Sequence, residues 1–310
     1  MHVDIVRIDG RADKLPHRQP DKNIFVDRKK NSKYLLMILA GYKSFLFEDV
    51  FARVKAFTPK QFDVCILSSG LFDETLNKIA AENSWSYLST AQNNIPFVQN
   101  LAIMLHEQAE LIFKMDEDIF ITEGVFDTLL KTASHVARHG HYKVGFVAPL
   151  IPINGYCYVR LLEKLGLLES YEKMFDSVVY GVHDEKMIQY NPDVAKFFWG
   201  EGGFVPSIDL MNAAFRIQKI SYSICSVRFS IGLILFHRNF WKLMGGLHMP
   251  PPNSSGLALD EDQICKFCLA LSLGMVVAEN AVVGHLSFGK QNAAMKEYYL
   301  AHREIFRCPK

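Results

Sequence analysis

The sequence predicts an α/β fold: a mostly parallel sheet flanked by helices, with an irregular insertion in the second half. Three observations carry this. Apolar runs of strand length recur, led by the continuous stretch 34–40 and by 111–115, which only Lys114 interrupts, and such runs mark strands buried on both faces. Stretches of helical length and spacing separate them, and that alternation belongs to a parallel sheet with right-handed crossovers. Apolar residues make up 49% of the 310 and charged residues 22%, which permits a full core and argues against wholesale disorder.

Residues 1–31 read as a polar, extended leader carrying Pro16, Pro20 and many charges. The remainder, 32–310, reads as a single domain. Its first strand, 34–40, is ended by Gly41, Tyr42 and Lys43. A helix over 47–57 sets Val50, Val54 and Phe57 on one face and stops at Thr58-Pro59. The strand 62–67 closes at Ser68-Ser69-Gly70. A helix over 73–83 leads to a short strand at 85–88, and Gln92, Asn93 and Asn94 precede a helix over 96–108.

The strand 111–115 then runs straight into Asp116-Glu117-Asp118, and a second apolar run, 119–121, follows at once. A solvated loop is not packed between hydrophobic strands in this way. The three acids therefore sit at the C-terminal end of a buried strand, where ligands bind in open α/β sheets. Asp116 and Asp118 are hard oxygen ligands at a spacing that lets them share one divalent cation. The bland alternative is a chance Asp-x-Asp in a turn. Alternation along an extended segment turns Glu117 to the other face and out of such a site.

Beyond it, 126–139 reads as a helix and 144–148 as a strand. Residues 149–228 change character, with prolines, aromatic clusters, a helix over 160–175 and the Gly-rich stretch 197–204. They read as an insertion shaping a binding site, as long loops on such scaffolds often do. Regularity returns with a strand over 230–236 and a short helix ending at Gly245-Gly246. The flexible run Asn253-Ser254-Ser255-Gly256 precedes Asp260-Glu261-Asp262, which open a helix over 263–273 ended by Gly274. Strands at 275–278 and 281–283 lead to His285.

The second acidic cluster has two readings. Carboxylates at a helix N-terminus are stabilised by its dipole, with Asp260 as cap. One of the three acids can instead face a cleft and act as general base. His285 is either a satisfied structural residue or a third ligand beside Asp118. Trp199, Glu201 and Gly202 either pack their own loop or present an aromatic face to a sugar.

A net charge of +1 argues against a dedicated nucleic-acid binder, and Asp27-Arg28-Lys29-Lys30 reads as a solvated face. The six cysteines are sparse and lie in mostly apolar surroundings. Cys265-x-x-Cys268 lacks the second pair of a zinc site, so buried thiols in a reducing compartment are expected. Neither a signal peptide nor a run of about 18 apolar residues is present, and the expected location is the cytoplasm.

Taken in order, these features resemble a GT-A-type glycosyltransferase, closest to the bacterial family-2-like inverting group. The matching stretches are Ala40-Gly41-Tyr42-Lys43, Ser68-Ser69, Asp116-x-Asp118, the segment 232–246, Asp260-Glu261-Asp262 with Gly274, and His285 after its strand. They cover roughly 33–125 and 228–290; residues 149–228 match nothing in that family. The resemblance implies a Rossmann-like GT-A fold with 149–228 on the acceptor side. It implies transfer of a sugar from a nucleotide diphosphate donor to a hydroxyl of a glycan or lipid-linked acceptor, with inversion, in cell-surface polysaccharide assembly. Mn²⁺ or Mg²⁺ would be held by Asp118 with Asp116 and His285. Donor contacts would come from Ala40, Gly41, Tyr42, Ser68, Ser69, Asn93, Asn94, Asn100, Lys114 and Asp116, and acceptor contacts from Trp199, Glu201 and Gly202. The base would be Asp262, with Asp260 and Glu261 open because the triplet allows more than one register. A lipid-linked acceptor would bring the protein into peripheral contact with the inner membrane face. The same carboxylates would also serve a metal-dependent nucleotidyltransferase, although Ala40-Gly41-Tyr42-Lys43 is poor in glycine for a phosphate loop. A non-catalytic sugar-binding protein on the same fold is the third reading.

Overall fold

The computed structural model describes residues 4–9, 21–181, 187–250 and 258–309. Within them the strands are β1 (Ile5–Asp9), β2 (Asn23–Asp27), β3 (Tyr34–Leu39), β4 (Asp63–Ser69), β5 (Ser86–Thr90), β6 (Leu111–Asp116), β7 (Ile119–Phe120), β8 (Lys143–Leu150), β9 (Tyr222–Ile224), β10 (Leu233–His237), β11 (Leu273–Val282) and β12 (Gly284–His285). The helices are α1 (Phe47–Phe57), α2 (Glu74–Glu82), α3 (Ile95–Leu105), α4 (Val125–His139), α5 (Cys157–Leu165), α6 (Leu168–Met174), α7 (Met187–Tyr190), α8 (Pro192–Phe198), α9 (Ile208–Arg216), α10 (Arg238–Leu243), α11 (Leu259–Ala270), α12 (Asn292–Ala301) and α13 (Arg303–Phe306). The expected α/β class and mostly parallel pairing are what the chain adopts.

The chain divides into two compact units. The first comprises Met1–Phe47, Pro59–Glu117 and Leu235–Phe267. Its strands run in the order β1-β2-β5-β4-β3-β6-β10. The pairs β3–β4, β3–β6 and β4–β5 are parallel, and β2 joins β5 antiparallel. Register explains what this sheet delivers. Leu39 stands opposite both Leu67 and Asp116, and Ser69 stands opposite Thr90. The C-terminal ends of β3, β4 and β6 are therefore level, and the polar residues that follow each strand emerge together. Leu35, Leu36, Ile38, Ile66, Leu67, Ile112 and Phe113 are fully buried, each contributing on the order of 1.5–3 kcal/mol of apolar burial. Helices α2 and α3 pack on β4 and β5. Asn94 caps α3 by accepting the Phe97 N–H, and Asp73 caps α2 by accepting that of Leu76, as short polar side chains do at helix starts.

The second unit comprises Glu48–Thr58, Asp118–Ile234 and Cys268–Lys310. In it β11 pairs parallel with β8 and antiparallel with β9. Helix α4 packs on β8 and β11, and α9 on β11. A small antiparallel sheet sets Gly284 opposite Phe120 and His285 opposite Ile119. Arg53 is fully buried there, held in a two-bonded pair with Asp209 at 2.9 and 2.7 Å and donating to the carbonyls of Ile121, Phe306 and Arg307.

Several expectations are corrected. The stretch 1–31 is not an irregular leader throughout: β1 and β2 lie in it, and Phe25 is fully buried. Its apolar triplet Ile24-Phe25-Val26 is short, and surrounding charges hide it from a composition reading. Pro16, Pro20 and Asn253–Gly256 lie outside the described residues. The expected helix over 160–175 is two helices, parted where Gly166 takes a left-handed φ of 68°. Residues 149–228 carry α5 to α9 and so are not irregular throughout. Helix α11 begins at Leu259, which places Asp260, Glu261 and Asp262 in its first turn rather than ahead of it. It ends at Ala270, and Gly274 belongs to β11, one continuous strand through 282. Cys265 and Cys268 are buried and form no disulfide. No helix among the described residues is long and apolar enough to cross a membrane.

Candidate functional site

In the first unit the site begins where β3 ends. Gly41 takes a φ of 137°, and the turn it makes presents two backbone N–H groups to one carboxylate. Glu117 accepts the Gly41 N–H at 2.8 Å and the Tyr42 N–H at 3.0 Å. Glu117 is therefore turned away from its acidic neighbours, as alternation predicts, and ties the end of β6 to the turn after β3. Ala40 is buried and its N–H bonds the Leu67 carbonyl at 2.9 Å, so it braces the strand ends.

Tyr42 is 55% exposed, yet its hydroxyl is fixed, its one proton lying between the Ser69 carbonyl at 3.2 Å and Asn93 Oδ1 at 3.0 Å. The ring is thereby anchored and accessible, as a stacking platform requires. Ser69 Oγ accepts the Asn94 N–H at 2.6 Å. The close approach of Gly70 to Asn93, where an added Cβ would come within 2.6 Å of backbone, holds the two loops together. Ser68 departs from expectation. It is fully buried and accepts the Tyr87 hydroxyl at 3.0 Å, a core bond out of reach of a ligand. Asn100 is also a brace. Its amide bonds the Leu247 N–H, the Leu247 carbonyl and Trp241 Nε1, closing the turn at Gly246, rather than facing a ribose or sugar.

The charged centre of this unit is Lys114. It is 3% exposed, and its ammonium lies 2.7 and 2.8 Å from the two Asp116 oxygens and 4.0 Å from Asp260 Oδ2. Burial pushes the ammonium down, but Asp116 and Asp260 outweigh it and hold it above its ordinary value. Asp116 is thus engaged by a cation already present in the chain. Asp260 is 5% exposed and accepts a bond from Gln99 Nε2 at 2.9 Å. Asp262, the favoured base from the sequence, instead lies 3.7 Å from Lys266 one helical turn on, with its side chain 35% exposed. Because α11 starts earlier than expected, it is Asp260 that meets the Lys114–Asp116 pair. Glu261 is half-buried and adds to the field on Lys114.

In the second unit the small sheet brings Asp118 and His285 together. With His285 opposite Ile119, and the Leu286 N–H on the Asp118 carbonyl at 3.0 Å, Asp118 Oδ2 lies 3.3 Å from His285 Nε2. His285 Nδ1 lies 2.8 Å from the Ile153 carbonyl. A carbonyl only accepts, so Nδ1 carries a proton, and in the neutral ring Nε2 turns a lone pair toward the carboxylate. Two electron-rich atoms at that separation call for a cation between them or a second proton on the ring. A carboxylate oxygen and an imidazole nitrogen suit Mn²⁺, and suit Mg²⁺ less well. Among the described residues no three His, Cys, Asp or Glu side chains form one metal-binding group. Of the three expected ligands, Asp118 and His285 lie side by side in the second unit, while Asp116 belongs to the first, where Lys114 contacts both its oxygens.

Trp199 does not line a surface. It is 5% exposed, packs its ring 5.3 Å from Phe120 and 4.3 Å from Phe306, and donates Nε1–H to the His285 carbonyl at 3.1 Å. Its role is to buttress His285. Glu201 and Gly202 are exposed in a turn where Gly200, Gly202 and Gly203 take left-handed φ. The residues missed from the sequence are Gln99, Ile153 and the brace by Glu117. Gln99 left a signal, since it stands one turn from the apolar Ile95 and Ile103 on the buried face of α3. Ile153 acts through its carbonyl, which no side-chain pattern reveals.

No protein-family model matches the chain, and no curated protein matches it in sequence. Among solved structures it is similar to that of the mannosyltransferase PcManGT from Pyrobaculum calidifontis in complex with GDP-Man and Mn²⁺, at 14% identity over 92% of this chain and 67% of that one, with a TM-score of 0.49. It is similar to GalNAc-T7 with UDP, GalNAc and Mn²⁺, at 12% identity over 83% of this chain and TM-score 0.45, although it spans only 44% of that chain's length. It is also similar to residues 1–349 of S. aureus TarS, at 12% identity over 88% of this chain and 64% of that one, with TM-score 0.43.

Proposed function

We propose that the chain is a metal-dependent glycosyltransferase of GT-A type that moves a sugar from a nucleotide diphosphate donor to an acceptor hydroxyl. The observation that carries the reading is the Asp118–His285 pair, whose oxygen and nitrogen face each other at 3.3 Å while Nδ1 is committed to Ile153. Those two side chains would hold the Mn²⁺ or Mg²⁺, and the donor's phosphate oxygens would complete its coordination, as nucleotide-bound cations require. When bound, the ion offsets charge developing on the leaving diphosphate.

The first unit, taken by itself, offers candidates for the remaining roles. Tyr42 stacks on the base, with Asn93 and Ser69 fixing its ring. Lys114, buried and held charged by two carboxylates, contacts both Asp116 oxygens and so fixes the carboxylate that is offered to the donor's ribose. Asp260 takes the acceptor proton, in place of Asp262, because its buried carboxylate accepts the Gln99 amide at 2.9 Å and lies 4.0 Å from the Lys114 ammonium. One base and no protein nucleophile make a single displacement, which inverts the anomeric centre. Glu201 and Gly202, exposed beside Phe204, are the acceptor-side residues; Trp199 supports His285. The acceptor is a glycan or a lipid-linked glycan of cell-surface polysaccharide assembly, and the expected setting is the cytoplasm with peripheral contact at the inner membrane face.

The test is a thermal-shift screen of UDP- and GDP-sugars with and without Mn²⁺. Stabilisation by a nucleotide sugar that needs the ion supports the reading. Stabilisation by several nucleoside diphosphates with no effect of the ion contradicts the metal assignment.

A further inference from the structure

The structure singles out one polar residue to which neither the fold nor the donor site assigns a task. Gln99 is 1% exposed, on the buried face of α3 among Ile95, Val98, Ala102 and Ile103. Its Nε2 donates to Asp260 Oδ2 at 2.9 Å and, weakly, to the Ile95 carbonyl at 3.4 Å. Its Oε1 is buried and, among the described residues, receives no hydrogen bond. A buried amide oxygen without a donor costs free energy that an apolar side chain of the same size would avoid. The amide cannot relieve this by flipping, because that would set Oε1 against the Asp260 carboxylate, two acceptors face to face. The chain thus keeps a costly amide at this position, with the Asp260 bond as its one strong contact.

We propose that Gln99 is a positioning residue: it fixes the rotation of the Asp260 carboxylate by occupying Oδ2, so that Oδ1 is the oxygen presented to the acceptor. Both contacts of Asp260 among the described residues, from Gln99 and from Lys114, fall on Oδ2. Gln99, on α3, donates to that oxygen at 2.9 Å, and the Lys114 ammonium, on β6, attracts the same oxygen from 4.0 Å without a hydrogen bond, so the Gln99 bond is the one that sets the rotation of the carboxylate. The gain is in geometry, since a base must lie within hydrogen-bond reach of the proton it removes. This inference rests on the reading of Asp260 as base, and concerns how that base is aimed.

The experiment uses the full chain and hydrolysis of the nucleotide sugar found in the screen, with water in the acceptor's place. Nucleoside diphosphate release gives kcat, and the KM of the donor is measured alongside. Gln99→Met keeps the volume, removes the orphaned oxygen and removes the donor to Oδ2. Gln99→Glu keeps the shape and replaces the donor by an acceptor. The expected result is a kcat at least about tenfold lower in both variants, with donor KM within twofold of the parent and the Gln99→Met melting temperature not lowered by more than a few degrees. Parental kcat in either folded variant overturns the proposal. So does a fall in donor affinity that accounts for the whole effect. If Gln99→Glu fails to fold, Gln99→Met alone decides. If the parent chain neither binds nor cleaves any nucleotide sugar, the glycosyl-transfer reading fails, and this inference with it. A parent that cleaves while Gln99→Met cleaves equally well overturns only the inference.

Discussion

Asp118 Oδ2 stands 3.3 Å from His285 Nε2, while the other ring nitrogen of His285 is held at 2.8 Å by the Ile153 carbonyl. The pair is built by a two-strand ladder that places His285 opposite Ile119, so its geometry is set by backbone rather than by flexible side chains. Removing either partner should leave the fold intact and weaken the ion. Asp118→Ala and His285→Ala are each expected to reduce Mn²⁺-dependent nucleotide binding by about 10–100-fold, the scale on which metal sites respond to lost support. Titration of nucleoside diphosphate with and without Mn²⁺ reads this directly. Unchanged ion dependence in both variants would remove them from the site.

The two candidate bases separate by mutation. Asp260→Asn keeps the shape and the Gln99 contact but cannot accept a proton, and turnover should fall about 10²–10⁴-fold, the usual contribution of a general base. Asp262→Asn, whose ionic neighbour is the exposed Lys266, should stay within about threefold. The reverse order of effects, measured as kcat on the same donor, would return the role to Asp262.

These two results also mark what the sequence could and could not disclose. The apolar runs at 34–40 and 111–115, the second interrupted only by Lys114, specify β3 and β6 with boundaries within a residue or two, because strands buried on both faces read as near-continuous apolar stretches. The carboxylates at the end of β6 follow from that alone. The position of α11 did not follow. The triplet Asp260-Glu261-Asp262 suits a cap or a first turn equally, and the choice rotates a different acid toward Lys114. Trp199 was misread for a related reason: an indole suits a sugar face or a core equally well, and its neighbours Phe120 and Phe306 are distant in sequence. The β2 strand was hidden by the charged residues on either side of it.

Arg53 tests the framework of the second unit. Its guanidinium is fully buried, paired with Asp209 and bonded to three carbonyls. Arg53→Ala would leave Asp209 without its cation and those carbonyls without their donor, and breaking a buried pair in this way costs about 3–5 kcal/mol. Chemical denaturation should show a lower midpoint of that order. A loss under about 1 kcal/mol would mean that water replaces the guanidinium readily.

Glu279 sets an acid limit on stability. It is 7% exposed. Burial pushes its carboxyl up, but bonds from Arg160 and Ser221 and the Arg160 charge outweigh burial and hold it below the ordinary range. A carboxylate with a depressed value in the folded state stabilises above its unfolded value, about 4.3 for Glu. That contribution is lost as pH falls through the depressed value. Glu279→Gln should therefore be less stable than the parent at pH 7, with the gap closing as pH falls below about 4.3. A gap that stays constant down to pH 3 would show that the charge contributes nothing.

Gly284 probes the buttress behind His285. A Cβ there would come within 2.4 Å of the Trp199 ring, which is wedged against Phe120 and Phe306. Gly284→Ala must displace the indole, and overpacking of this kind costs about 1–3 kcal/mol. Since Trp199 bonds the His285 carbonyl, the same variant should also weaken Mn²⁺-dependent nucleotide binding. A variant as stable as the parent with full ion affinity would disconnect Trp199 from the site.

The central claim is that Asp118 and His285 hold a divalent ion on the diphosphate of a sugar donor. Its most direct test is nucleoside diphosphate release from a panel of UDP- and GDP-sugars, measured for the parent chain and Asp118→Ala, each with Mn²⁺ and with chelator. The account predicts release by the parent from at least one donor, abolished by chelation and by Asp118→Ala. Release that persists undiminished in chelator, or a parent that cleaves and binds no nucleotide sugar with Mn²⁺ present, would contradict it.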